Sequence, residues 1–260
     1  MIAKKTWREI LPMAIAYLCV LELLLVPEIL LWPKLKESLP AVLTLLKIIP
    51  GDWAQRMSGV VTNYSGYMAV RLFFQGVNIV GLAIAVLLGT GLIARERENQ
   101  TLEFLLARPI SRPHILWSKV WVTAVCLTLP IFVTTWSTIP ISWAIGETLP
   151  FWPLTWASLY SSLFVLMFLM LTVAVSVVCR TQVHVAFLVG AFVVIQVSVF
   201  FTQKIRGFSV FRFSDFTIYY DVLERRLSAL DLLLGEGLLL LGASVALYAL
   251  ADRLFRRIDL

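Results

Sequence analysis

The stretch that decides the fold is TLPFWPLTWASLYSSLFVLMFLMLTVAVSVVC, Thr148 to Cys179, which holds no Asp, Glu, Lys or Arg. At about 1.5 Å of rise per helical residue it exceeds the ~30 Å of hydrocarbon in a bilayer. Working outward, three more runs lack any charged residue: Leu72–Ala94, Val120–Gly146 and Thr181–Gln203. Each is again long enough to cross. Apolar residues make up 60% of the 260-residue chain and charged residues only 15%, with a mean hydropathy of +0.87. A soluble domain runs near half apolar and about a quarter charged. A soluble enzyme, a nucleic-acid binder and a disordered chain are therefore excluded, and an all-α polytopic membrane protein is expected.

Two further segments complete six spans. After Lys4, Lys5 and Arg8 an apolar run extends to Trp32, interrupted by Glu9 and Glu22. No small-residue cleavage site follows it, so it reads as a retained first span rather than a signal peptide. Leu232–Ala251 is the sixth, with Glu236 near its start. The spans fall at about 10–31, 72–94, 120–145, 155–179, 183–203 and 232–251, in a single membrane domain covering 1–260. With both termini inside, twelve Lys and Arg lie on the cytoplasmic side against ten opposite. The inner ones crowd short segments beside the spans, where basic residues set orientation. The net charge of +6 is thus read as a topology signal rather than a nucleic-acid footprint.

The outer connections are unusual. Ala41–Ile49, between Pro40 and Pro50, is too short to cross and carries one thin polar stripe of Thr44 and Lys47. It is expected as a separate helix in the interface plane. Pro150, Trp152, Pro153, Trp156 and Tyr160 form an expected aromatic belt at the start of span four. Phe208, Phe211, Phe213, Phe216, Tyr219 and Tyr220 alternate with polar residues between spans five and six. That pattern fits packing on the outer mouth or lying among lipid headgroups, and it does not choose between them.

The sequence carries no catalytic constellation. His114 and His184 lack the spacing of a zinc hydrolase, and no Gly-rich loop precedes Lys-Ser/Thr to cradle a phosphate. Cys19, Cys126 and Cys179, widely spaced in apolar segments, read as buried hydrophobes. Gly89-Thr90-Gly91 and Gly235-Glu236-Gly237 read as sites of close helix packing. Glu22 stands midway along span one, where a carboxylate demands a partner. It either lines a translocation path or dimer seam, together with Asn78, or makes a structural hydrogen bond to Asn78 or a Ser/Thr of a neighbouring span. Glu28 and Glu236 fall nearer the outer interface.

The informative loop follows span two: AREREN at 94–99, then Gln100, Thr101, Leu102, Glu103, Phe104, Leu105, Leu106, Ala107, Arg108, Pro109, Ile110, Ser111 and Arg112, running on to Lys119. Leu102, Leu105 and Leu106 share a helical face, Pro109 ends that helix, and Ser111 caps a second short one with Pro113 in its first turn. Two short amphipathic helices at a proline turn make a rigid knob, suited to pass a push from a soluble partner. A loop that only anchors orientation fits the same residues.

This string resembles the signature of ABC-2 type transporter permeases, in which an E-R/E-x-x-G-T-L-E-x-L-L segment runs into P-[IV]-S-R and a lysine opening span three. The tail Phe255–Leu260 is similar to the F-x-R-R-D ending of the same group. One departure is Gln100, where the family usually has Gly; within a helix Gln is the better residue, so little change is expected. The resemblance implies a permease subunit of an ATP-binding cassette exporter in a prokaryotic plasma membrane, moving substrate and not itself an enzyme. It implies a separate P-loop ATPase carrying ATP and Mg, no cofactor on this chain, and a second permease copy or paralogue completing the path. Contact with the ATPase would run through Arg97, Glu98, Thr101, Leu102, Glu103, Leu105, Leu106, Arg108, Pro109, Ser111 and Arg112. The leucines would be buried, with Arg97, Glu98 and Glu103 at the rim. An ion-gradient-driven carrier or channel, or an ATPase-binding sensor that moves no solute, are the alternatives.

Overall fold

The computed structural model describes residues 2–48, 52–101 and 111–257. Among these residues the regular structure is all helix, with no strand. Six helices are long and apolar enough to cross a membrane. They are α1 (Ile2–Ile48), α3 (Tyr64–Glu98), α4 (Arg112–Ala144), α5 (Phe151–Val178), α6 (Gln182–Phe201) and α8 (Ala229–Arg256). Two shorter helices, α2 (Asp52–Val60) and α7 (Phe216–Leu223), lie in the connections.

Position in the bundle follows from how each helix spends its apolar surface. α5 is the centre, with 72% of its most apolar window buried, and α3, α4 and α8 pack along it. α1 lies along α4. In α6 and α8 only 17% and 22% of that window is buried, so many of their Leu, Val and Phe side chains lie on the outside of the bundle. Such faces mark contact with membrane or with another protein rather than with water. The close-packing reading holds at Gly89, where a Cβ would stand 2.7 Å from the Thr172 side chain of α5. It does not hold at Gly235, which faces open space.

One expectation fails at α1. Ala41–Ile48 is no separate interfacial helix: α1 runs unbroken for 47 residues through Pro12, Pro27, Pro33 and Pro40. That is about 70 Å of helix, more than twice the hydrocarbon thickness. A proline biases the preceding residue away from the helix but does not forbid it. Here tertiary ties override the bias. Glu147 accepts from Trp32 Nε1 at 3.0 Å and from Lys36 Nζ at 2.8 Å, bracketing Pro33. Trp32 is buried, with Tyr64 and Tyr67 at ring-centroid distances of 5.4 and 4.8 Å.

The two faces of the bundle are distinguishable by their contacts. Lys5 lies 3.9 Å from Glu96, and Arg112 Nη1 donates to Arg256 O at 3.1 Å. The beginning of α1 and the end of α8 therefore sit at the same end as the 94–119 loop, here the loop end. The opposite, cap end is closed by α2, α7 and residues 206–214. The aromatic segment there packs inward from Phe211 on, while Phe208 stays exposed: Phe216 and Tyr219 are fully buried, and Tyr219 stacks on Phe73 of α3 at 4.8 Å. Tyr160 also leaves the expected belt. It is fully buried in the bundle and donates to Glu236 Oε2 at 2.8 Å.

Candidate functional site

At the loop end, α3 turns at Gly91-Leu92-Ile93 and finishes with one short helical stretch, Ala94–Glu98. The stop is a Schellman motif. Thr101 N donates to Glu96 O at 2.8 Å and Gln100 N to Arg97 O at 3.1 Å, with Gln100 left-handed at φ 55°. Position 100 is thus not inside a helix, and the expectation that Gln suits it better than Gly is overturned. The left-handed conformation is the one that glycine adopts without steric cost.

Every charge of Glu96-Arg97-Glu98 meets another element. Glu96 Oε1 accepts from Lys119 Nζ of α4 at 2.9 Å, and Lys119 is 6% exposed. The same ammonium donates to Leu92 O at 2.9 Å. Arg97 Nη1 donates to Val178 O and Cys179 O, both at 3.2 Å, at the end of α5. Glu98 Oε2 accepts from Gln182 N at 3.2 Å, at the first turn of α6. A cation on the last carbonyls of one helix and an anion on the first N–H of the next both follow the helix dipole. Ser176 Oγ of α5 fixes the start of the corner by accepting from Ala94 N at 2.9 Å. The corner thereby ties α3 to α4, α5 and α6 at once.

Arg97 and Glu98, expected at the rim of a partner contact, have these partners within the chain. Thr101 Oγ1 donates to Glu96 Oε2 at 2.5 Å. Ser111 does stand at the N-cap of a helix, without a side-chain cap bond. That helix is α4 itself, with Pro113 in its first turn, so among the described residues the helix that Ser111 opens is continuous with span three. Leu102, Glu103, Leu105, Leu106, Arg108 and Pro109 lie outside the described residues. Glu96 and Lys119 are the hub that reading by helical faces did not single out. The available signal was a lysine seven residues past Arg112 at the head of an apolar run, where an ammonium needs a carboxylate.

Glu22 and Asn78 are not brought together. Glu22 Oε1 accepts from Ser137 Oγ of α4 at 2.8 Å, the structural hydrogen bond to a neighbouring span. Asn78 lies in a stretch of α3, Ala69–Val80, wound as a π-helix, a form frequent at functional sites. It is 1% exposed and donates to Ser214 Oγ and Tyr219 Oη, both at 2.8 Å, so it seats the cap. Glu28 accepts from the Tyr67 hydroxyl and lies 3.6 Å from Arg71.

A cleft of about 240 Å³ opens beside the corner, lined among others by Lys5, Glu9, Arg95, Glu96, Lys119 and Gln182. Charges of both signs line it, so it selects neither anion nor cation. Among the described residues no three His, Cys, Asp or Glu side chains stand close enough to hold a metal ion.

Comparison with known proteins bears on what this corner belongs to. Over 76 residues the chain is 26% identical to a Bacillus subtilis (strain 168) protein, the uncharacterized membrane protein YdbK. That alignment spans 29% of each of the two chains. A family model described as ABC-2 family transporter protein matches residues 1–260. With the match covering the whole chain and six apolar helices in place, the protein belongs to the ABC-2 transporter family.

Proposed function

We propose that this chain is the permease subunit of an ATP-binding cassette exporter in a prokaryotic plasma membrane, with both termini cytoplasmic. It forms half of a translocation path with a second copy or paralogue and takes its energy from a separate P-loop ATPase seated on the 95–119 loop. ATP and Mg belong to that subunit. The observation that carries the reading is the corner at 94–101. A partner pressing on the adjoining loop acts on Glu96, Arg97 and Glu98, and through them on Lys119 and on the facing ends of α5 and α6. Three spans share one lever. An orientation anchor needs only positive charge, not a carboxylate placed on a helix N-terminus.

Leu105 is the anchor to test, because buried apolar side chains carry more of an interface than rim charges. Leu105→Asp is expected to abolish co-purification with the ATPase and substrate-stimulated ATP hydrolysis, since an unpaired carboxylate facing an apolar pocket is costly. Insertion into the membrane should survive. If Leu105→Asp binds and stimulates the ATPase like wild type, the loop is an orientation anchor and the proposal fails. Flux of substrate in reconstituted vesicles then separates transport from sensing.

A further inference from the structure

At the cap end a groove of about 380 Å³ runs between the start of α5, the end of α7 and the start of α8. Its apolar walls include Pro153, Val222 and Leu227, and no carboxylate lines it. Its polar groups are the Arg225 guanidinium, the Trp152 and Trp156 indole N–H groups and the Ser228 hydroxyl. None of these four has a hydrogen-bond or ion-pair partner among the described residues. The two neighbours of Arg225 are occupied: Glu224 Oε1 accepts from Asn63 Nδ2 at 3.2 Å, and Arg226 lies over the Tyr220 ring at 4.9 Å.

Arg225 also holds an unusual backbone position. α7 ends as the loop-end corner does, with Arg226 N on Asp221 O at 2.8 Å and Arg225 N on Val222 O at 3.1 Å. Arg225 occupies the left-handed site at φ 57°. A residue kept where glycine would be relaxed asks for a role of its side chain.

We infer that this groove binds a phospholipid of the leaflet at the cap end, with the headgroup phosphate on Arg225 and the indole and hydroxyl donors, and the glycerol and first methylenes against Pro153, Val222 and Leu227. The donor set selects an acceptor-rich, anionic group, and Arg matches phosphate geometry. The apolar walls select an amphiphile over a free ion. Trp152, 67% exposed at the head of a span, marks the level where headgroups lie. The volume is at the small end of the roughly 300–1,000 Å³ of ligand clefts, suited to a headgroup rather than a whole lipid.

The test uses the full chain purified in detergent and titrated with phosphatidylglycerol, with diacylglycerol of the same acyl chains, and with inorganic phosphate. Binding is read from the lipid-dependent rise in Tm. Phosphatidylglycerol should stabilise wild type, while diacylglycerol and inorganic phosphate should not. Arg225→Gln should weaken the apparent affinity about tenfold, the loss of one charge-assisted hydrogen bond. Arg225→Gly removes the same guanidinium while relaxing the backbone, so a loss of response in this variant is not a loss of fold. Arg226→Gln should respond as wild type. The inference is overturned if both Arg225 variants keep the wild-type response. It is equally overturned if diacylglycerol stabilises as well as phosphatidylglycerol, or if inorganic phosphate alone reproduces the shift.

Discussion

At both ends of the molecule a helix stops in a left-handed residue that is not glycine, Gln100 after α3 and Arg225 after α7, with the same pair of backbone hydrogen bonds. What surrounds the two stops differs. The loop-end corner is held by hydrogen bonds and one ion pair to the ends of α4, α5 and α6. The cap-end helix is held by buried aromatic rings, Phe216 and Tyr219, and by Asn78 beneath them. A four-membered ion cluster crosses the cap as well. Asp215 accepts from Arg56 at 2.7 Å and pairs with Arg206, and Asp52 lies at 3.0 Å from Arg56. Burying each ring from water stabilises by about 1.5–3 kcal/mol, and pulling the cap away forfeits that directly. Bonds to helix ends can be exchanged for water at about 0.5–2 kcal/mol each. The cap-end helix is held mainly by buried rings, and the loop-end corner mainly by polar bonds to helix ends.

The comparison breaks first at Lys119. Lys119→Met leaves the Glu96 carboxylate partly buried beside an apolar side chain, with only Thr101 and the more distant Lys5 still facing it, and should cost about 3 kcal/mol, the low end for a broken buried pair. Thermal unfolding in detergent measures it, and the double variant Lys119→Met/Glu96→Gln should recover most of the loss. If the single variant unfolds like wild type, the pair is not the hub of the corner. Next is the cap. Asp215 accepts from Thr217 N at 3.1 Å as the N-cap of α7 and receives both arginines, so Asp215→Ala should cost about 2–3 kcal/mol. A cysteine placed at Phe213 should then label faster, whereas one at Arg95 should not. Equal change at both sites would show that the two ends are not independent.

Smaller effects sharpen the contrast. Gln100→Gly relieves left-handed strain of about 1–2 kcal/mol and adds unfolded-chain entropy of about 0.5–1, so stability should rise by roughly 0.5–1 kcal/mol. An unchanged or lower Tm would mean that the Gln100 side chain has a role of its own. Smallest is the Glu147 tie that carries α1 past Pro33. Burial pushes its carboxyl up, but the hydrogen bonds from Lys36 and Trp32 outweigh that and hold it below its ordinary 4.5. A depressed folded-state pKa means that the tie contributes fully above 4.5 and fades as pH falls through the lowered value. Wild type should exceed Glu147→Gln in stability at pH 7, and the gap should close in more acidic solution. A gap independent of pH would remove the carboxylate from the account.

Much of the fold was readable in the chain, and the misses have physical causes. The break expected before Ala41 came from a local proline bias, yet α1 continues through Pro40, as it does through Pro33, where Glu147 more than a hundred residues away ties Trp32 and Lys36 on either side. The aromatic segment was undecided because alternation reports a face without reporting what covers it; Phe73 of α3 and Asn78 supply the answer. Gln100 was misread because a charge-rich run before an apolar one looks helical throughout, while the stop is set by backbone bonds that no side chain announces. Glu22 was half legible: its need for a partner followed from depth alone, and Ser137 only from packing.

What the sequence by itself determined is that this is a multi-pass membrane protein with six segments long and apolar enough to cross. Transfer of an apolar run into hydrocarbon is a sum over neighbouring residues, so charge-free stretches such as Thr148–Cys179 settle it without reference to the rest of the chain. The tertiary structure alone decided how the charges are used. Glu96 with Lys119, Arg97 with the end of α5, and Asp215 with Arg56 join residues 23 to 159 positions apart. Electrostatic pairing depends on distances of a few ångströms that only the packed helices define.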